Sequence, residues 1–275
     1  MARLVEQAAA LGELSPDFMS MTYGAGGGGA AVRQRSIEAS DLIGQTTGVP
    51  IVAHLALAGH TVAELDQAID QFLARPVAGF MALRGDPVGG PSAEWAKSPG
   101  GLTYASELVA LIRRRSALPI GVAAFPFGHP AAATLAADTA ALQAKQAAGA
   151  NFAITQVLFQ ARPYKRLLDR LAAAGLSLPV VPGIMPITSS ARISKLELFH
   201  GAPLPTQLRS QLDAVAGDKA ATAEVGLRWA IELVGDLLAA GAPGVHFYTL
   251  NAASTTARIC AELGLKGGSG GAGAG

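Results

Sequence analysis

The sequence predicts an α/β fold on a parallel sheet, either open with helices on both faces or closed into a (β/α)8 TIM barrel. Three observations carry this. Seven short apolar runs recur without polar alternation, the pattern of strands buried on both faces. Helical patterns separate them at roughly 30-residue spacing, the size of a βαβ unit. The chain has 275 residues, half of them hydrophobic and 15% charged, a length ordinary for one α/β barrel with a large core. Seven strands preceded by a helix are one short of eight, so a missing or altered first strand is expected, its place lying before Met1. No linker composition interrupts the body. Residues 1–265 read as a single α/β barrel domain, and 266–275 as a Gly-rich disordered tail.

Residues 2–11 read as a short helix, broken at Ser15-Pro16-Asp17, and 18–22 as the first strand. The second and third strands are expected over 51–57 and 79–83. The helix between them starts at Thr61 with Glu64 three residues on, a capping box. Strands over 120–125, 152–158, 180–185 and 245–250 complete the set. Helices are expected over about 103–115, 163–174 and 220–240. Another follows Pro130, a residue suited to a first helical turn, and runs to Gly149. An additional helix around 190–215 fills the longer gap before the last strand.

Composition removes several function classes. Net charge is +1 with no basic stripe interleaved with aromatics, so no nucleic-acid partner is expected. Arg113-Arg114-Arg115 reads as the solvated end of a helix. The one cysteine, Cys260, lies in an apolar helical pattern with Ala257, Ile259 and Leu263, where a buried, inert thiol is expected. It excludes an internal disulfide and fits a reducing compartment. The N-terminus carries Glu6 and no long apolar segment, so no secretory signal is visible and a cytoplasmic location is expected. Uncharged runs over 42–63, 116–137 and 171–191 are broken by Pro, Gly, Ser or Thr, so no membrane partner is expected.

In parallel α/β folds ligands bind at the C-terminal ends of the strands. The strand over 79–83 delivers Arg84-Gly85-Asp86 there. The other strands deliver Thr22 with Tyr23, His54 within its strand, Phe125 followed by His129, Gln156, Met185 and Thr188, and Tyr248 with Asn251. This polar, partly aromatic set suits a flat heterocycle with polar edges. No lysine lies in a strand, against a Schiff-base aldolase. Glu197 and His200 form a lone Glu-x-x-His, read as a helix-surface pair. The other carboxylates are scattered, and no metal site is expected. Plain structural roles compete with each assignment. His54 can be a satisfied buried histidine, Arg84 and Asp86 a structural ion pair, Gln156 a partner for backbone, and Tyr248 packing. Asp138 and Lys145, seven residues apart, share one helix face that is plainly read as solvated. Gly24-Ala25-Gly26-Gly27-Gly28-Gly29 formally matches G-x-G-x-x-G. The next strand ends in Leu57-Ala58-Gly59 without an acidic residue, so the run reads as a flexible loop rather than a Rossmann site.

Several segments together resemble the bacterial methylenetetrahydrofolate reductases. They include Ser20-Met21-Thr22-Tyr23-Gly24-Ala25, Ala53-His54-Leu55, Ala82-Leu83-Arg84-Gly85-Asp86 and Tyr104-Ala105-Ser106. Further along come Ala123-Ala124-Phe125-Pro126 with His129-Pro130, and Gly149-Ala150-Asn151 with Ile154-Thr155-Gln156. Pro182-Gly183-Ile184-Met185-Pro186 and His246-Phe247-Tyr248-Thr249-Leu250-Asn251 close the series, in register over about 15–263. The resemblance implies a (β/α)8 barrel holding FAD at its C-terminal face. It implies ping-pong hydride transfer from NAD(P)H through FAD to 5,10-methylenetetrahydrofolate, or the reverse oxidation. By position, Thr22, His54, Leu83, Arg84, Gly85 and Asp86 would line the FAD. So would Tyr104, Ala105, Ala124, Phe125, His129, Asp138, Lys145 and Ile154. Asp86 would be the catalytic carboxylate and stabilise a cationic iminium form of the folate. Gln156 would hydrogen-bond the pterin, and Tyr248 and Leu250 would border folate or nicotinamide. A homo-oligomer is expected by analogy.

The chain also departs from the family pattern. The family's opening Phe-Glu-Phe-Phe-Pro-Pro, whose glutamate is the general acid, would belong before Met1. Ala141 and Ala144 stand where Asn and Arg are frequent, which implies weaker hold on FAD. Arg192 and Ala252 stand where Gln and Arg are usual. The rival readings are a weakly active or non-catalytic flavin- and folate-binding barrel, and a flavin dehydrogenase of another small substrate.

Overall fold

The computed structural model describes residues 2–22, 30–86, 94–189 and 203–267. Seven strands and nine helices occur among the described residues. The chain divides into two compact units, the first formed by 1–123, 143–152 and 266–275, the second by 124–142 and 153–265.

In the first unit the helices α1 (Ala2–Gly12), α2 (Ala30–Thr47), α3 (Val62–Leu73) and α4 (Ala105–Arg113) alternate with strands β1 (Met19–Met21), β2 (Ile51–Ala56), β3 (Val77–Leu83) and β4 (Ile120–Ala124). The strands pair in chain order and all in parallel, with Met21 beside Ala53, His54 beside Met81 and Met81 beside Gly121. The interior of β3 is buried throughout, from Phe80 to Ala82, as its continuous apolar run requires. Leu65, Ile69 and Phe72 of α3 are buried, and Phe72 meets Phe80 of β3 edge-on at 6.1 Å. The α3 capping box forms as the sequence implies. Glu64 N donates to Thr61 Oγ1 at 3.2 Å and Thr61 N to Glu64 Oε2 at 2.8 Å.

Arg113 departs from the reading of its cluster as a solvated helix end, while Arg114 and Arg115 are exposed as that reading expects. The Arg113 guanidinium donates to Gly149 O at 2.8 Å and Asn151 Oδ1 at 2.7 Å, and reaches the carbonyls of Ser116 and Leu118. Asn151 Oδ1 also accepts from Ile120 N at 2.9 Å, so the arginine braces the start of β4. Arg115 pairs with Asp66 and Asp70 of α3.

The second unit carries β5 (Phe152–Val157), β6 (Val180–Ile184) and β7 (His246–Phe247), again parallel and in chain order. Its helices are α6 (Ala161–Ala173), α7 (Thr206–Asp213), α8 (Lys219–Ala239) and α9 (Ser254–Leu263), and α5 (Leu135–Ala147) starts in it. Val157, Phe159, Met185, Ile187, Leu204, Leu208, Leu212 and Val225 form a core in this unit, with Trp229 and Tyr248 packed against it. Cys260 is buried, and burial raises its thiol pKa, as expected of an inert side chain.

Three boundaries differ from expectation. Helix α5 begins at Leu135 rather than at Pro130. Thr134 is its cap, accepting from Ala137 N at 3.1 Å, while 129–132 close a turn from Ala132 N to His129 O. The last strand covers His246–Phe247, its ladder continues through Tyr248 N to Ile184 O, and Leu250 and Asn251 then turn away in left-handed backbone, φ 49° and 59°. Of the additional helix expected around 190–215, Thr206–Asp213 is helical and 190–202 lie outside the described residues. Helix α2 is a finding of the structure, since its apolar residues do not concentrate on one stripe. No helix among the described residues is long and apolar enough to cross a membrane.

Candidate functional site

In the first unit the strand ends converge on the β3 terminus. The pairing of β2 with β3 continues past both strands, Leu57 N donating to Leu83 O at 3.1 Å and Ala58 N to Arg84 O at 2.9 Å. Gly85 then turns the chain with φ 82°. A Cβ there would lie 3.0 Å from that of Ala56 and 3.1 Å from that of Ala58, so both conformation and space require glycine. The half-buried Arg84 guanidinium lies 4.9 Å from the Trp95 ring centroid, a cation–π contact, and the Asp86 carboxylate is exposed. Burial lowers the Arg84 pKa, while the Asp86 and Tyr104 charges oppose that. Arg84 remains a cation under any ordinary condition.

Tyr104 is 64% exposed just before α4, whose start is fixed by Glu107 Oε2 accepting from Thr103 N and Tyr104 N, each at 2.7 Å. Ala105 is buried behind it and Leu83 is half-buried. His54 is half-buried within β2, and Thr22 is exposed at the end of β1. Lys145 is half-buried, and its ammonium donates to Ala123 O at 3.0 Å. The plain reading of a solvated face therefore fails for Lys145.

The second unit presents two groups. In the first, Ala124 is fully buried and Phe125 meets the His129 ring edge-on at 4.5 Å. His129 Nδ1 accepts from Ala131 N at 2.9 Å, so the neutral ring carries its proton on Nε2. Asp138 is 3% exposed, which overturns the solvated reading for it as well. Its Oδ1 accepts from His129 N at 3.1 Å and its Oδ2 from Arg170 Nη2 at 2.9 Å. The same Arg170 nitrogen reaches Phe125 O at 3.4 Å, so Arg170 and Asp138 together hold the 125–129 loop. Arg170 is a site-supporting residue that sequence reasoning missed. It sits on a helix remote in sequence, and no local pattern marks it.

The second group is built around a β-bulge. Ile154 pairs with Val181 and Val157 with Gly183, so β5 holds one residue more than β6 over this stretch. Thr155 and Gln156 occupy it. The buried Thr155 Oγ1 donates to Gln156 O at 2.7 Å and accepts from Gly183 N at 2.9 Å. Tyr248 Oη donates to Thr155 O at 2.8 Å. The Tyr248 ring packs on the unit's core and meets His246 edge-on at 5.0 Å. Burial raises the Tyr248 pKa and depresses that of His246 to about 4, so both are neutral near pH 7. Ile154 is buried in β5, Gln156 is half-buried, and Leu250 is 55% exposed in the left-handed turn. Thr155 escaped the sequence reading as a site residue. The signal for it was Pro182-Gly183 inside an apolar strand, a pair that marks a bulge.

The structure thus brings Arg84, Asp86 and Tyr104 together in one unit. In the other it brings together Phe125, His129 and Asp138, and separately Gln156 and Tyr248 through Thr155. Tyr23, the glycine run 24–29, Arg192, Glu197 and His200 lie outside the described residues. Ala141 and Ala144 are exposed on α5, and Ala252 is half-buried.

Among solved structures, an uncharacterised protein from Clostridium thermocellum that binds two copies of 5-methyl-5,6,7,8-tetrahydrofolic acid shares the fold. Its TM-score is 0.53 at 13% identity, covering 89% of this chain and 94% of that one. The 5,10-methylenetetrahydrofolate reductase of Escherichia coli K12 is 34% identical over 257 residues, 93% of this chain and 83% of the relative. The Zea mays protein named methylenetetrahydrofolate reductase (NADH) 1 is 30% identical over 261 residues, 91% of this chain and 43% of the relative. The methylenetetrahydrofolate reductase family profile matches residues 1–264. A match of that extent, with relatives of that identity, means that the chain belongs to the methylenetetrahydrofolate reductase family.

Proposed function

We propose that this protein reduces 5,10-methylenetetrahydrofolate to 5-methyltetrahydrofolate, or runs the reverse oxidation, on the (β/α)8 barrel that the family resemblance implies. NAD(P)H is the hydride source and FAD the resident carrier, in a ping-pong sequence. Family membership supports the folate chemistry. The observation that carries the residue assignment is the end of β3. There Gly85 separates an arginine held over an indole from an exposed carboxylate.

The donor set fits a flavin dinucleotide. Arg84 and Lys145 bring positive charge suited to a pyrophosphate. Thr22, His54, Tyr104 and His129 bring hydrogen-bonding groups. Leu83, Gly85 and Phe125 bring half-buried apolar surface and backbone, and the buried Ala105, Ala124 and Ile154 would line the cofactor as the family resemblance implies. When bound, FAD supplies a two-electron carrier between nicotinamide and folate. Asp138 serves this set from behind, by fixing the His129 main chain and Arg170. Asp86 places a negative charge where the folate's methylene bridge opens to a cationic iminium. Gln156 hydrogen-bonds the pterin, and Leu250 with the Tyr248 ring borders folate or nicotinamide.

Stopped-flow measurement of the two half-reactions tests this. Asp86→Asn should slow flavin reoxidation by methylenetetrahydrofolate about 100-fold, the scale of one lost electrostatic stabiliser. Flavin reduction by NADH should stay within about twofold. Equal losses in both half-reactions would remove Asp86 from the folate step.

A further inference from the structure

We infer that Tyr248 is a positioning residue, whose hydroxyl pins the β5 bulge at Thr155 and thereby aims Gln156. The inference rests on the reading of Gln156 as a folate-binding residue and adds what sets its direction.

Side chains alternate across a strand, and a one-residue change of register moves a side chain to the other face. Where the bulge sits on β5 therefore decides which way Gln156 points. The backbone alone does not secure that position. Pro182 stands opposite the extra residue, between the paired Val181 and Gly183, and has no N–H to give. Two side chains supply what the ladder lacks. The Thr155 hydroxyl accepts the Gly183 N–H at 2.9 Å and donates to the Gln156 carbonyl at 2.7 Å, tying the bulge to β6 and to its own next residue. The Tyr248 hydroxyl, 93 residues away in sequence, donates to the Thr155 carbonyl at 2.8 Å.

The ring that carries this hydroxyl is itself set in place. A Cβ on Gly183 would fall 2.6 Å from Tyr248 Cε2 and 2.4 Å from Thr155 O, so only glycine admits both the ring and the bulge carbonyl. His246 closes on the ring edge-on at 5.0 Å, and the Tyr248 N–H continues the β7 ladder to Ile184 O at 2.8 Å. A tyrosine held only for packing would not need its hydroxyl directed at a bulge carbonyl.

The test uses the FAD-loaded full chain. Binding of 5-methyltetrahydrofolate is measured by calorimetry for the wild type, Tyr248→Phe, Gln156→Ala and the double variant. The side-chain amide of Gln156 is followed by 15N NMR, assigned through its loss in Gln156→Ala. Tyr248→Phe should weaken binding about tenfold, the scale of one buried hydrogen bond, and should move the Gln156 amide resonance. In the Gln156→Ala background the same substitution should have no further effect. An unmoved Gln156 resonance in Tyr248→Phe, or losses that multiply in the double variant, would overturn the inference. If Gln156→Ala leaves binding unchanged, the folate role of Gln156 fails instead. The amide resonance then decides the tyrosine's role by itself, for it if moved and against it if not.

Discussion

The ends of β3 and β5 place polar groups by opposite means. At β3 a single left-handed glycine separates Arg84 from Asp86, and the guanidinium rests on Trp95. The turn that directs Asp86 is set by Gly85 itself and by the adjoining end of β2. At β5 an inserted residue is held by a threonine hydroxyl, a glycine on the next strand and a tyrosine two strands on. What directs Gln156 joins its neighbour Thr155 to Gly183 and Tyr248, 28 and 93 residues from that threonine. A turn-directed group tolerates change around it, whereas a bulge-directed group depends on a network whose members are lost together.

The second unit should therefore show the larger responses. The largest is expected at the buried pair behind its 125–129 loop. Asp138→Ala leaves the mostly buried Arg170 guanidinium without its carboxylate and should cost about 3 kcal/mol or more in urea unfolding. Replacing both partners by apolar residues should recover much of that. A loss below about 1 kcal/mol would show that the loop is held elsewhere, because removing one member of a buried pair costs several times more.

Next comes pH. Burial holds the His246 pKa near 4, below its ordinary 6.5, so the unfolded state takes up its proton first as pH falls. The neutral-histidine contribution is complete above pH 6.5, is lost between about 6.5 and 4, and is constant below that. The span amounts to up to about 3 kcal/mol. His246→Phe should flatten this arm of the stability curve, and Asp86→Asn should leave it in place. A curve unchanged by His246→Phe would remove the histidine from this account.

The smallest effect is expected at β3. Trp95→Leu removes the cation–π contact, worth about 0.5–1 kcal/mol at a half-exposed site. Melting should barely move, while FAD affinity, read by flavin fluorescence, should fall a few-fold. An unchanged affinity would mean that Arg84 needs no platform to meet the cofactor.

Much of this was legible in the residues. Six of the seven strands lie where apolar runs bounded by turn residues place them, because a strand buried on both faces has no polar position to disguise it. The Thr61 capping box was legible because it is a three-residue rule. The α5 start was misread. Pro130 satisfies the same first-turn preference that the Thr134 hydroxyl satisfies by a hydrogen bond, and local chemistry does not rank the two. Arg84, Gly85 and Asp86 stood out because one strand delivers all three. Their family roles came through resemblance, since nothing in their spacing names a flavin or a folate.

By itself the sequence determined the repeat of parallel strands, the polar residues at their ends and the family, because each is written in contiguous residues. Tertiary structure alone decided how those residues are held. It buried Asp138 against Arg170, laid Arg84 on Trp95 and tied Tyr248 to Thr155. These contacts join residues from 11 to 93 positions apart, and their energies depend on burial and direction that no local pattern encodes.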